Sequence, residues 1–177
     1  MNQIEEILDR FKKSRILVIG DIILDKFSWG DVERINPEQR TAPLVKIIEE
    51  NYVLGGAANV ANNLSSLGAD CCLYGIIGDD AHGKKVEKLC EENKIKLRSF
   101  YNENPTIVKQ RIIAHGQHVA RLDFGEENLE ELNKNTRGRI LSSLEEEINN
   151  SDVIVLSDYN KALFSKNLSR EISCTGS

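Results

Sequence analysis

Two hydrophobic periods alternate along this chain. In residues 3–12, Ile4, Ile7, Leu8 and Phe11 recur at helical spacing and predict an amphipathic helix. Arg15 to Gly20 (RILVIG) is a continuous apolar run, the pattern of a strand buried on both faces of a parallel sheet. The stretch 24–50 has no helical period, and its extended runs sit between a core strand and a core helix. It predicts two or more strands leaving the main body as a flap. Residues 56–67 predict a helix with Ala57, Val60, Ala61, Leu64 and Leu67 inward and Gly68 just past its end. Cys71 to Ile77 predicts another buried strand, and 81–93 a helix with Val86, Leu89 and Cys90 as its stripe. Strands follow at 97–101, 106–114 and 119–123, the last two as a hairpin around His115-Gly116. A long helix is predicted over 129–149, a short buried strand at Val153 to Leu156 (VIVL), and a further helix over 165–172. Such alternation implies an α/β fold with a mostly parallel sheet, and ligands bind such sheets beyond the carboxyl ends of the strands.

A chain of 177 residues buries one full core, so one domain with an inserted flap is expected. Charged residues make up 29% and hydrophobic ones 40%, ordinary values for a globular chain. The net charge of −5 argues against a general nucleic-acid-binding role but leaves room for a local basic pocket. No apolar run reaches the length of a membrane span, and MNQIEEILDRFKK is too polar for a secretory leader. Cys71, Cys72, Cys90 and Cys174 have no metal-ligand spacing and are expected as reduced thiols in a cytoplasmic protein.

The run Gly55-Gly56-Ala57-Ala58-Asn59-Val60-Ala61 carries the most chemistry. It closes an extended segment and opens a helix. Two residues without Cβ allow backbone to approach a ligand, the helix N-terminus presents N–H groups, and Asn59 adds an amide. The combination suits hydroxyls or a phosphate. Asp21 and Asp25 flank the start of the flap, and carboxylates accept paired bonds from sugar hydroxyls. For Asp21, a turn residue after the strand is an equally open reading. Lys109 and Arg111 share a strand face, with Arg121 on the next strand and Arg34 in the flap. Together they make a candidate phosphate cluster, although a solvated strand face is the simpler account. Asp158-Tyr159 either contacts a ligand or caps the following helix.

Other motifs are set aside. Gly78-Asp-Asp-Ala-His-Gly83-Lys84-Lys85 nearly matches a phosphate loop between strand and helix, but Lys85 replaces the hydroxyl residue. Asp79 and Asp80 would also place negative charge in the cradle, so helix capping by one of them is expected. His115 and His118 bracket a turn with no third ligand evident, and no GxSxG nucleophile motif is present.

The ordered segments ILVIGDIILDKFSWGDVERINPE, APLVKI, LGGAANVANNLSSLGA, GIIGDDAHG, PTIVKQRII, ARLDFGEE and VLSDYNKA run from about residue 15 to 163. They resemble the N-terminal half of ribokinase-like (PfkB) carbohydrate kinases, and most of all the branch that phosphorylates D-glycero-β-D-manno-heptose 7-phosphate at its anomeric hydroxyl. The resemblance implies a Rossmann-like sheet with a β flap over a sugar pocket. Asp21, Gly55, Gly56 and Asn59 would contact the sugar, and Lys109, Arg111 and Arg121 the phosphate already on it. Asp158 and Lys161 would lie near the sugar–nucleotide boundary. It further implies ATP and Mg²⁺ for the full-length family, and a homodimer paired through flaps bearing exposed Phe27 and Trp29.

The family's GAGD segment, with its catalytic Asp and anion hole, does not occur in these 177 residues, and neither does the DPK-like segment. Ala162 replaces a glycine of the family's SDYxKG pattern, and Gln39-Arg40-Thr41 lengthens the flap. The expectation is therefore a truncated chain that holds the sugar but binds no ATP alone. A non-catalytic sugar-phosphate-binding or dimerisation module is the alternative, as is one half of a split kinase with a separately encoded C-terminal half.

Overall fold

The computed structural model describes residues 3–35, 43–102, 104–126 and 134–161. The predicted 165–172 helix, Ala162, Cys174 and the Gln39-Arg40-Thr41 insertion lie outside the described residues, as does the side chain of Arg34.

The described elements are α1 (Gln3–Phe11), β1 (Arg15–Gly20), β2 (Ile22–Ile35), β3 (Pro43–Gly56), α2 (Ala57–Ser66), β4 (Asp70–Gly78), α3 (Ala81–Glu92), β5 (Lys96–Asn102), β6 (Ile107–Ala114), β7 (Gln117–Phe124), α4 (Lys134–Asn149) and β8 (Val153–Ser157). They build two four-stranded sheets. The body sheet has order β5-β4-β1-β8, parallel throughout. The second has order β3-β2-β6-β7 and is mixed, with β2 and β6 parallel and the outer pairs antiparallel.

The body sheet is parallel because its strands are joined by helical crossovers and its central strands are apolar on both faces. Val18, Leu73, Ala57, Ala61, Val86 and Cys90 pack on the α2/α3 side. Leu17, Ile19, Tyr74, Ile140 and Leu144 pack on the α4 side. Tyr74 keeps its hydroxyl satisfied there by donating to Ile140 O at 2.6 Å. One described hairpin turn, between β6 and β7, shapes the second sheet. His115 (φ 51°) and Gly116 (φ 74°) both take the left-handed conformation that a two-residue hairpin demands.

Four expectations change. The flap is larger than 24–50, because β6 and β7 join the β2–β3 hairpin through parallel pairing of β2 with β6. Extended runs with similar alternation do not reveal which sheet they enter. Leu67 is not inward: it ends α2 and stands 47% exposed, while Ala58, beside the β-sheet, is fully buried. Among the described residues the VIVL strand pairs only with β1, and Val153, Ile154 and Leu156 are exposed. Phe27 and Trp29 are half-buried rather than exposed, because their rings stack on each other with centroids 5.6 Å apart. No helix among the described residues is long and apolar enough to cross a membrane.

Candidate functional site

β1 ends at Gly20, and the chain turns at Asp21 straight into β2, so a carboxylate falls at the carboxyl end of the central body strand. Asp21 is 3% exposed, and its Oδ2 accepts from the N–H groups of Tyr159 (2.8 Å) and Lys161 (3.1 Å). The chain leaving β8 is thereby strapped across the end of β1. The Asp21 carbonyl accepts from Ala57 N–H at 3.0 Å, which ties the start of α2 to the same point.

β3 delivers Gly55 and Gly56 beside it. A Cβ on Gly56 (φ +55°) would lie 2.4 Å from Asp21 O, and one on Gly55 would lie 2.5 Å from Asp25 Oδ2. The missing side chains are therefore what allow Asp21, Asp25 and the α2 N-terminus to converge. No side chain caps α2, and Asn59, in its first turn, is exposed.

Register places Asp25, Phe27 and Trp29 of β2 on one face of the second sheet with Lys109 and Arg111 of β6 and Arg121 and Asp123 of β7. Arg111 and Arg121 are direct cross-strand partners, as are Lys109 and Asp123. The opposite face starts with Leu24, Leu54 and Val108 in the body core. It continues as a polar ladder in which Lys26 pairs with Glu50 at 2.7 Å and the buried Ser28 accepts from Gln110.

The cations of the cluster are divided among carboxylates. Arg111 pairs with Asp25 and lies over the Phe27 ring at 5.3 Å. Arg121 pairs with Asp123 at 3.0 Å. Lys109 lies 3.7 Å from Glu126 Oε1, and Lys161 lies 2.7 Å from Glu126 Oε2. The structure thus brings Asp21, Asp25, Gly55, Gly56, Lys109, Arg111 and Lys161 around the junction of the two sheets. Asp158 instead closes a local turn, its Oδ1 accepting from Asn160 N–H at 2.7 Å. Glu126 was missed by sequence reading. Its signal lay in the ARLDFGEE segment, but nothing in the spacing marks one glutamate of a pair as inward.

The phosphate-loop look-alike is closed by its own side chains. Asp80 caps α3, its Oδ1 accepting from Gly83 N–H at 2.7 Å, and its Oδ2 accepts from Thr106 N–H at 2.8 Å. The Thr106 hydroxyl donates to the same carboxylate at 2.9 Å and accepts from Gly78 N–H at 3.0 Å. Burial pushes the Asp80 carboxyl upward, but the bonds from Gly83 and Thr106 outweigh it and hold the group below the ordinary carboxylate value. A nucleotide phosphate does not fit there. No three His, Cys, Asp or Glu side chains converge as a metal site among the described residues. Two clefts flanking Glu147 lie elsewhere, one of them at the amino ends of the body strands beside Arg15, Asp70 and Lys96.

This is a ribokinase-like arrangement: a parallel body sheet with a β lid standing over its carboxyl ends. The profile described as "pfkB family carbohydrate kinase" matches residues 13–174, and the chain belongs to that family of sugar kinases. It is 40% identical over 151 residues to the "Bifunctional protein HldE" of Hydrogenovibrio crunogenus, covering 85% of this chain and 30% of that protein. The protein of the same name from Helicobacter pylori (strain P12) is 41% identical over 151 residues, with 84% and 32% covered. The chain thus spans about a third of the length of these relatives. Among solved structures, Escherichia coli phosphofructokinase-2 in complex with substrates and products superposes with a TM-score of 0.66 at 18% identity, over 91% of this chain and 50% of that one.

Proposed function

We propose that this chain is the acceptor-binding portion of a heptose 7-phosphate kinase, holding D-glycero-β-D-manno-heptose 7-phosphate for transfer of the ATP γ-phosphate to its anomeric hydroxyl. The observation that carries this reading is the convergence of Asp21, Asp25, Gly55 and Gly56 with Lys109 and Lys161 beneath the lid, in a chain 40% identical to a protein named HldE. Asp25 and the Gly55-Gly56 backbone offer acceptors and donors to sugar hydroxyls. The lysines offer charge to the phosphate already on the sugar.

Phosphoryl transfer depends on positioning and on charge stabilisation around the transferred group. The acceptor side of that task has its residues in this chain. The attacking hydroxyl must lose a proton, and in this reading the base and the nucleotide-binding groups come from outside these 177 residues. The apolar edge strand β8, where Val153, Ile154 and Leu156 are exposed among the described residues, offers a surface for the further sheet or helix that would carry them. Homodimerisation through the lid belongs to the same reading but draws less support from Phe27 and Trp29, which are stacked on each other.

Calorimetric titration tests the proposal. The chain is expected to bind the heptose phosphate and to give no heat with ATP alone. ATP binding without the sugar phosphate would overturn it.

A further inference from the structure

The ion triad Lys109–Glu126–Lys161 joins three separate parts of the fold. Lys109 sits on β6 of the lid, Glu126 follows the turn after β7, and Lys161 follows β8 of the body. The base of Lys161 is fixed because its N–H donates to buried Asp21. All three side chains are about one-fifth to one-quarter exposed.

The bonding is lopsided. Glu126 Oε2 has a full charge-assisted bond to Lys161 at 2.7 Å. Glu126 Oε1 is buried with no hydrogen-bond partner among the described residues, and Lys109 Nζ, the cation beside it, is 3.7 Å away. A buried carboxylate oxygen without a donor is costly, and a half-buried ammonium beyond hydrogen-bond reach of its anion is poorly compensated. The Glu126 carboxylate satisfies one lysine and leaves the other at 3.7 Å. A phosphate dianion brings more charge and three terminal oxygens, enough to give each ammonium group its own acceptor.

We propose that Glu126 is an internal anion occupying the position between Lys109 and Lys161 in the empty site, and that the phosphate of the sugar displaces it. This rests on the acceptor-site reading above and sharpens it. The phosphate position is the Lys109–Lys161 pair, spanning lid and body, rather than the Lys109–Arg111–Arg121 strand face. Arg111 and Arg121 stay with Asp25 and Asp123. Ligand arrival then exchanges a lid–Glu126–body bridge for a lid–phosphate–body bridge at this point of the junction. Glu126 sets a threshold: a weakly held monoanion does not displace it, whereas a phosphate dianion does.

The test uses the full 177-residue chain. Binding of inorganic phosphate and of D-glycero-β-D-manno-heptose 7-phosphate is measured by calorimetry for the wild type, Glu126→Gln and Lys161→Met, with thermal melts alongside. Glu126→Gln keeps the shape and removes the competing charge, so both ligands are expected to bind about five- to tenfold more tightly. Lys161→Met is expected to weaken both. Glu126→Asp, which draws the carboxylate back by one methylene, serves if Glu126→Gln does not fold, and it should tighten binding in the same direction. Weaker or unchanged phosphate binding in the folded Glu126 variants would mean that Glu126 only orients the lysines, and it overturns the proposal. If phosphate tightens while the heptose phosphate binds no variant, the internal anion stands and the substrate reading falls. If no anion binds any variant, both fall.

Discussion

Replacing Asp80 by alanine separates a structural loop from a nucleotide cradle. The Asp80 carboxylate accepts three bonds: from Gly83 N–H at the start of α3, and from both the N–H and the hydroxyl of Thr106. Loss of a helix cap costs about 1 kcal/mol. Thr106 is 3% exposed, so its N–H is left buried without an acceptor, which adds about 1–3 kcal/mol. The hydroxyl can turn toward Gly78 O and contributes little more. Asp80→Ala should therefore destabilise the chain by about 2–4 kcal/mol, read as a lower urea midpoint with an unchanged slope. A pH series adds a second check. The folded carboxyl lies below its ordinary value, so the ionised carboxylate contributes stability that is fully present above the unfolded-state pKa and is lost as pH falls through the folded one. The variant should lose less stability than the wild type over that acidic interval. A change under about 0.5 kcal/mol, the range of an ordinary surface substitution, would refute the capping account. A gain of ATP binding on removing this charge would revive the phosphate-loop reading.

Three further outcomes follow from the geometry. Gly56→Ala forces a Cβ at φ +55° to within 2.4 Å of Asp21 O, so it should cost at least about 2 kcal/mol in urea denaturation and abolish sugar-phosphate binding. A variant as stable as wild type would mean the Asp21–Gly56 approach is looser than described. Glu147 is buried on the sheet-facing side of α4; burial raises its carboxyl, but Arg98 at 2.7 Å and Lys96 at 3.3 Å outweigh this and hold it below its ordinary value. Its contribution is present above the unfolded carboxylate pKa and lost as pH falls through the folded one, so Glu147→Gln should flatten the acid limb of a stability–pH curve. Leu156→Lys, on the edge of β8 that no described strand pairs, should leave stability in urea denaturation within about 0.5 kcal/mol. Destabilisation well beyond that would show the edge to be packed.

The fold was legible wherever burial imposes a period. RILVIG and DCCLYGIIG are apolar on both faces and could only be interior strands, and the α3 stripe of Val86, Leu89 and Cys90 follows from helical spacing. The caps were legible in part: Gly68 sits where a helix end needs it, and the choice between Asp79 and Asp80 was settled for Asp80 by its bond to Gly83 N–H. Partner choice was not. β6 and β7 alternate in the same manner whichever sheet they join, and only the parallel register of Asp25 with Lys109 draws them into the lid. β8 reads as buried by composition because edge position depends on what lies beside it. At the site, the glycines and Asp21 stood out because a strand end and a helix start fix their place. The pairing of cations did not, since Arg111–Asp25 spans 86 residues and Lys109–Glu126 crosses a turn. Sequence lists the charges, and tertiary structure decides which cancel.

The most direct test of the acceptor site is amide chemical-shift mapping of the labelled chain titrated with D-glycero-β-D-manno-heptose 7-phosphate. Saturable shifts confined to Gly55, Gly56, the first turn of α2, Asp25 and the residues around Lys109 and Lys161 are predicted, with the Glu147 clefts unmoved. Shifts centred on Gly78–Lys85 or on the Glu147 clefts, or none at millimolar ligand, would contradict it.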